Sequence, residues 1–283
     1  MARERPVNPV PAGTPAAKPV VRAVRMAETA PVSITDFDTL VAEGAAVPLQ
    51  GWDFSWLHGR ASEERAPWGY AGLLADRMAR AGAALDVDTG GGEVLAGIPR
   101  APRLLVATEA WPPNVEVARR TLRKLGAGVV AVADRPPLPF RDAAFDLVTS
   151  RHPVHTWWPE IARVLRPGGR YLSQQIGAGT VRELSEALVG PRRGRETQTP
   201  QWALAAAGAA GLRVVDLRTA TLRTVFHDIA AVVYFLRKVV WTVPDFTVDR
   251  YRPQLRRLHE RIEAEGAFVA HARRFLVEAV KPG

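Results

Sequence analysis

The feature that most constrains the fold of this chain is a glycine turn between two short apolar runs. The first run spans residues 83–87, the turn spans residues 90–92, and the second run spans residues 104–107 and ends at Glu109. Glycine has no Cβ, so it permits a sharp turn and a close approach of the backbone to a ligand. The stretch therefore predicts a strand, a turn, a helix that opens at Glu93, and a second strand.

An acidic residue at the end of the second run indicates that this arrangement binds a ligand. A helix N-terminus offers unpaired N–H groups and a partial positive charge to a carboxylate or a phosphate. An acidic side chain about 20 residues further on can accept hydrogen bonds from the hydroxyls of a ribose. Glu109 occupies that position. We therefore expect a nucleoside-containing cofactor at the carboxyl ends of parallel strands.

The spacing of the glycines distinguishes between two kinds of cofactor. A dinucleotide fingerprint, G-x-G-x-x-G, needs a third glycine where this chain has Leu95. The run instead resembles motif I of the class I S-adenosylmethionine-dependent methyltransferases, D/E-x-G-x-G-x-G, which Asp86, Gly90 and Gly92 match. Asp88 stands where the first glycine of that motif is usual, so we expect a slightly different turn there.

The order of the downstream motifs is similar to that of the same family. Residues 129–133 are predicted to form the third strand, which Asp134 follows. The tripeptide LPF at 138–140, the FDLV run at 145–148 and LRPGG at 165–169 come next, before a further apolar run. The resemblance covers residues 80–177, which we interpret as the cofactor-binding core.

The resemblance implies an α/β fold with a Rossmann-like, seven-stranded, mostly parallel sheet and helices on both faces. Residues 212–217 are expected to form strand six, and residues 271–280 strand seven, antiparallel at the sheet edge. The intervening residues are too numerous for a hairpin and include predicted helices at 228–240 and 248–265. We interpret 221–266 as a helical lid over the substrate pocket, with dimerisation as the alternative use.

The N-terminal segment is predicted to lie outside the folded domain. Residues 1–30 are rich in proline and lack hydrophobic periodicity, which favours a disordered extension. The methyltransferase domain is then expected to span residues 31–283. Either Met1 or Met26 fits as the translation start.

The resemblance also implies a set of residues for S-adenosyl-L-methionine. Glu109 is expected to bind the ribose hydroxyls, Asp134 the adenine amino group, and Asp86 the ammonium of the methionine portion. The complete predicted cofactor set is Asp86, Asp88, Thr89, Gly90, Gly92, Glu109, Ala110, Asp134 and Ser150.

The acceptor side is predicted to follow the fourth strand. His152 or His155 could remove a proton from a hydroxyl or an amine, because imidazole titrates near neutral pH; a hydrogen-bonded loop or cap role is the alternative. Arg151 could pair with an acidic substrate or face solvent. Trp56 and Tyr70 belong to an aromatic-rich segment that either contacts substrate or packs helices onto the sheet.

Composition narrows the choice of acceptor. The net charge is +9, and +4 of it falls in the first 25 residues, so the remaining chain is only mildly basic. No basic run is interleaved with aromatics in the way that single-strand binders use. A small-molecule acceptor with an O or N nucleophile is therefore favoured. The alternatives are an RNA or protein methyltransferase and a cofactor-binding protein without catalysis.

Composition also indicates whether the chain can form disulfides, bind metal through thiolates or span a membrane. The chain has no cysteine, which excludes disulfides and thiolate metal sites, and its six histidines show no metal-ligand spacing. No apolar run approaches the roughly 18 residues of a membrane span. We therefore expect a cytoplasmic protein, monomeric or homodimeric, with no metal and no membrane partner.

Overall fold

The computed structural model describes residues 36–49, 53–191 and 196–283. The extension predicted over residues 1–30 lies outside this described part.

Among the described residues, eight strands form one sheet, where seven strands were predicted. The strands are β1 (Ala61–Glu63), β2 (Ala83–Val87), β3 (Leu104–Glu109), β4 (Gly128–Ala131), β5 (Phe145–Arg151), β6 (Leu165–Ile176), β7 (Arg213–Phe226) and β8 (Phe268–Val280). The helices are α1 (Phe37–Ala46), α2 (Tyr70–Arg80), α3 (Pro112–Leu122), α4 (Trp158–Val164), α5 (Arg182–Val189), α6 (Pro200–Ala209), α7 (Ile229–Lys238) and α8 (Val248–Glu265). The added strand, β1, pairs antiparallel with the end of β7.

The strand order is β1-β7-β8-β6-β5-β2-β3-β4. Strand β2 is parallel to both β3 and β5, and the chain proceeds outward from this pair in both directions. The carboxyl ends of β2 and β5 therefore form a topological switch point, the place where open α/β sheets bind ligands. The last strand, β8, is antiparallel to both β6 and β7 and lies between them, so the prediction that it forms the sheet edge is wrong.

The insert between the last two strands is shorter than predicted because β7 is longer. Residues 221–226 were assigned to the lid, but they continue the β7 ladder as far as the pair Phe226–Phe268. In β7, residues 213–221 are exposed or half-buried, and burial begins only at Leu222. The polar first part of the strand hides its length from a criterion that looks for apolar runs. The insert then consists of α7 and α8, close to the predicted helices.

Helix α7 is a core element. Residues 229–233 are almost fully buried, and they pack against α1, α5 and α8 in one apolar cluster. At Gly44 of α1 an added Cβ would lie 2.4 Å from the carbonyl oxygen of Ala230, so this contact requires glycine. The insert is therefore anchored to the sheet by the same cluster that buries α1.

The helix predicted to open at Glu93 is a single 3₁₀ turn, Leu95–Gly97. Pro99 and Pro102 follow at once, and each lacks the N–H that would continue a helix and disfavours helical backbone at the preceding residue. Leu95 and Ile98 are both buried, so the segment contributes apolar packing instead of a long helix.

A buried acid joins three elements of the sheet region. The side chain of Glu278 in β8 is only 5% exposed. Its carboxylate accepts hydrogen bonds from Nε and Nη2 of Arg77, both at 2.9 Å, and from Nη1 of Arg170 at 2.9 Å. These contacts connect β8 to α2 and β6. The Arg77 hydrogen bonds, outweighing burial, lower the pKa of Glu278 from its ordinary value of 4.5.

We predict that Glu278→Gln lowers the free energy of unfolding by about 2–3 kcal/mol at pH 7, because it removes the buried negative charge to which Arg77 and Arg170 donate hydrogen bonds. A carboxyl whose pKa is lower in the folded state than in the unfolded state stabilises the fold at pH values above its unfolded pKa. The stability difference between wild type and Glu278→Gln should therefore persist above pH 4.5 and shrink as the pH falls below it. Urea denaturation of wild type and variant at pH 7 and pH 3.5 measures the loss of stability and its dependence on pH. Glu265→Gln, which removes an exposed partner of Arg261, is the control and should change stability little; an equal loss in both variants would contradict the account.

Candidate active site

A cavity of about 990 Å³ opens at the carboxyl ends of β2, β3 and β5. Ten of the residues predicted for cofactor or acceptor line it: Tyr70, Asp86, Asp88, Thr89, Gly90, Glu109, Ala110, Asp134, Arg151 and His152. Its volume lies in the range typical of small-molecule and cofactor sites. The switch point of the sheet therefore opens into a cavity of the size that a cofactor needs.

Glu109 holds the glycine turn in place. Its Oε2 accepts the backbone N–H of Gly90 at 2.8 Å, and its Oε1 accepts that of Trp111 at 2.8 Å. Burial raises the pKa of this carboxyl, although the N–H groups of Trp111, Gly90 and Ala110 oppose that shift. Each carboxylate oxygen has a second lone pair, so both can still accept a hydrogen bond from a ligand.

Two further acids lie beside the turn. Asp86 is buried and accepts the Thr149 hydroxyl at 2.5 Å, and burial raises its pKa to about 6. Asp88 has a left-handed φ of 56°, the conformation that glycine adopts without strain, so the turn does carry the cost of a side chain at the family's glycine position. Burial, followed by repulsion from Glu109, Asp134 and Asp86, raises the pKa of Asp88 to about 7.

Four predicted residues do not line the cavity. Gly92 faces Leu122, where an added Cβ would lie 2.8 Å from Cγ. Ser150 turns its hydroxyl toward Tyr171 and Ser173 at 2.8 and 2.9 Å, because strand alternation directs it to the opposite face from Arg151.

The other two are aromatic rings outside the cavity. Trp56 packs against Tyr234 at a centroid distance of 5.1 Å and under the Arg60 guanidinium. His155 is exposed beside Trp157. Direct contact with a ligand at these four positions is not favoured by their placement.

Another part of the cavity, where the acceptor was predicted, is built around the end of β5. The Tyr70 hydroxyl donates to the carbonyl of Ser150 at 2.9 Å, which anchors α2 over this strand end. His152 contacts the side-chain amide nitrogen of Gln174 through Nε2 at 2.9 Å. Burial, then the charges of Arg151 and Arg274, keeps the pKa of His152 well below its ordinary value of 6.5.

Sequence reasoning missed several lining residues. Asn114 lies in the first turn of α3, which begins at Pro112, and its buried Oδ1 has no hydrogen-bond partner among the described residues. The preference of proline for the first helical turn was the signal that could have placed Asn114 there. Arg274 and Glu63, an ion pair at 2.9 Å, come from β8 and β1 and had no local signal. Trp111 also lines the cavity and is 49% exposed.

Residues 85–173 match the family described as "Methyltransferase domain", which confirms the predicted resemblance to the class I S-adenosylmethionine-dependent methyltransferases. The match spans β2 to β6, the strands that surround the cavity.

Among curated proteins, the chain is similar to a malonyl-[acyl-carrier protein] O-methyltransferase from Hahella chejuensis (strain KCTC 2396). The two are 34% identical over 113 residues, which are 37% of this chain and 40% of that relative. The similarity thus covers well under half of the relative's length.

Two solved structures share the fold. A protein from Bacillus halodurans C-125 aligns with a TM-score of 0.55 and 19% identity, over 75% of this chain and 99% of that one. The YcgJ protein from Bacillus subtilis aligns with a TM-score of 0.53 and 17% identity, over 75% and 98%. At this identity the likeness is one of fold.

We predict that Asp88→Asn raises the stability of the protein at pH 8, because asparagine tolerates the left-handed backbone and removes a buried like-charged carboxylate. An acid whose pKa is higher in the folded state than in the unfolded state makes its full contribution to stability only at pH values below its unfolded pKa. Its contribution therefore declines as the pH rises from 3.8 towards about 7, and the gain should be larger at pH 8 than at pH 5.

Urea denaturation at the two pH values measures this difference. Asp245→Asn is a matched control, because Asp245 has the same left-handed φ of 57° but is exposed. A gain of equal size in the control, or one that does not grow with pH, would show that backbone strain and not buried charge dominates at Asp88.

Proposed function

We propose that this chain is an S-adenosylmethionine-dependent methyltransferase that transfers a methyl group to an oxygen or nitrogen nucleophile of a small-molecule acceptor. One observation carries the proposal: Glu109, tied to the glycine turn, shares a single cavity with Asp86, Asp88 and Asp134.

The lining residues fit the chemical groups of the cofactor. Glu109 would hold the ribose hydroxyls and Asp134 the adenine amino group. Asp86 and Asp88 offer negative charge to the ammonium and the sulfonium, and Asn114 brings a buried acceptor with no partner among the described residues. When bound, S-adenosylmethionine supplies an already activated methyl group, so the protein mainly orients the acceptor and excludes water.

The other end of the cavity suits a small molecule with an apolar body. Its walls include Phe54, Leu57, Ile176, Phe226 and Phe235. Phe235 lies on α7, and Trp241 and Pro244 follow in the connection to α8, so the insert supplies one wall of this end. This placement supports the proposal that the insert covers the acceptor, as a wall fixed by core packing.

An RNA acceptor would require an open basic face beside the cavity. The cationic lining residues are Arg151, Arg182 and Arg274, and Arg274 is neutralised by Glu63. The aromatic and aliphatic walls therefore favour a small acceptor over RNA. In the described residues, none of the helices combines the length and the apolar character needed to cross a membrane.

We predict that wild-type protein binds S-adenosylmethionine and S-adenosylhomocysteine in calorimetry, and that Glu109→Ala weakens both by about tenfold or more. The reason is the loss of about 1.5–3 kcal/mol of hydrogen bonding to a charged group. Glu116→Ala is the control, since Glu116 lies on the exposed face of α3 and, in the described part of the chain, forms an ion pair with Arg119 alone. Binding of NAD in place of the sulfur compounds would overturn the proposal.

A further inference from the structure

The hydrogen bonds behind His152 fix its tautomer. The indole Nε1–H of Trp68 can only donate, and it meets the Gln174 side chain at 2.7 Å, so the atom there is the amide oxygen Oε1. The amide nitrogen of Gln174 then faces Nε2 of His152 at 2.9 Å and donates to it. Nε2 is thus an acceptor already in use, and the proton of the neutral ring lies on Nδ1.

The remaining nitrogen of the ring is available to a ligand. His152 lines the cavity, and its Nδ1 has no hydrogen-bond partner among the described residues and is not sealed from solvent. A ring in this state offers a hydrogen-bond donor. It has no free lone pair with which to remove a proton unless the Gln174 contact breaks.

The backbone at the end of β5 brings His152 to the same side as its neighbour. Consecutive residues of a strand face opposite sides of a sheet, but His152 has a left-handed φ of 57°, which redirects its side chain. Both Arg151 and His152 consequently line the cavity. The N–H of His152 donates to the carbonyl of Gln174 at 2.7 Å, which holds this irregular position.

Arg151 supplies the charge at this end. Its guanidinium makes no hydrogen bond or ion pair with the described residues, whereas Arg274 beside it is paired with Glu63 through two contacts. Burial lowers the pKa of Arg151 from 12.5, yet an arginine keeps its charge at neutral pH. A planar guanidinium next to an N–H donor matches the oxygens of a carboxylate.

We infer that the acceptor is a carboxylate on an apolar small molecule, bound by Arg151 and by the Nδ1–H of His152, and that His152 acts as a hydrogen-bond donor instead of a base. This inference rests on the proposed function and names its acceptor class. It differs from the role of proton acceptor that the sequence suggested for His152.

A carboxylate acceptor also fits a His152 whose Nε2 lone pair is already in use. A carboxylate is ionised at neutral pH, so its oxygen has no proton to lose. As that oxygen bonds to the methyl carbon, the carbon–sulfur bond breaks and its electron pair goes to sulfur, which yields a methyl ester and a neutral thioether. No proton moves in this step. A hydroxyl or amine nucleophile would instead need the lone pair that His152 has committed to Gln174.

The first test uses the protein alone. With ¹⁵N-labelled histidine, long-range ¹H–¹⁵N spectra at pH 7 should show His152 neutral and protonated on Nδ1, and His152→Asn identifies its signals. Gln174→Leu, which removes the donor to Nε2, should release this preference toward a mixture of tautomers. A ring protonated on Nε2, or charged at pH 7, would overturn the inference. This readout needs no cofactor, so it is separate from the proposed function.

The second test measures recognition of the carboxylate. Octanoate and its neutral analogue octanamide serve as probes, titrated into protein saturated with S-adenosylhomocysteine. We expect octanoate to bind about tenfold more tightly or better, the size of one charge-assisted contact. Arg151→Gln should abolish this preference, and Arg141→Gln, an exposed arginine outside the cavity, should retain it.

The His152 variants then distinguish a donor from a base. Asparagine donates an N–H, tolerates the left-handed backbone and is not basic, whereas alanine has no side-chain donor. We expect His152→Asn to keep most of the octanoate preference and His152→Ala to lose it. Equal binding of the two probes to wild type, or equal losses in both variants, would overturn the inference. Failure of the homocysteine compound to bind would instead contradict the proposed function.

Discussion

The site depends on one carboxylate that bridges two backbone segments. Glu109 ends β3 and accepts one N–H from the glycine turn after β2 and one from the start of α3. Both segments follow strand ends at the switch point of the sheet. The glycine turn has no long helix of its own to fix it, because the helical segment after Gly92 is a single 3₁₀ turn, whereas Trp111 leads directly into α3. The acid therefore sets the shape of the turn before any ligand is bound.

The cavity that this bridge borders has two ends of opposite charge. Asp86, Asp88, Glu109 and Asp134 make the end near the turn negative, and repulsion among them contributes to the raised pKa of Asp88. At the other end Arg151 is the cation that no acid pairs within the described residues. A cationic cofactor at the first end and an anionic acceptor at the second would each meet its opposite charge, with the apolar wall of the insert beside them. The two charged groups would also attract each other across the cavity.

The sequence predicted the parts of the fold that local patterns encode. The parallel strands follow from apolar runs that end in acids and turns, and the helices of the insert were placed within a few residues because Asp228 and Thr247 are effective N-caps. The long β7 was missed because its polar face is solvent-exposed, and β1 because three residues carry no periodic signal. The position of β8 between β6 and β7 depends on long-range pairing, which no local pattern contains.

The same division applies to the site. The acids of the turn region follow strand ends and could be found by spacing, whereas the Trp68–Gln174–His152 chain joins residues separated by up to 106 positions. The residue type of His152 suggested either a base or a hydrogen-bonded loop residue, and the direction of those hydrogen bonds favours a donor at Nδ1 over a base. Likewise, strand alternation at Ser150 and the packing of Gly92 against Leu122 direct two of the predicted cofactor residues away from the cavity lining.

The most direct measurement is a crystal structure of the protein with S-adenosylhomocysteine. The account predicts that the nucleoside lies at the carboxyl ends of β2, β3 and β5, with both ribose hydroxyls on the Glu109 carboxylate while Gly90 and Trp111 keep their N–H contacts to it. A ligand bound elsewhere, or a Glu109 side chain that leaves the glycine turn without touching the ribose, would contradict the account.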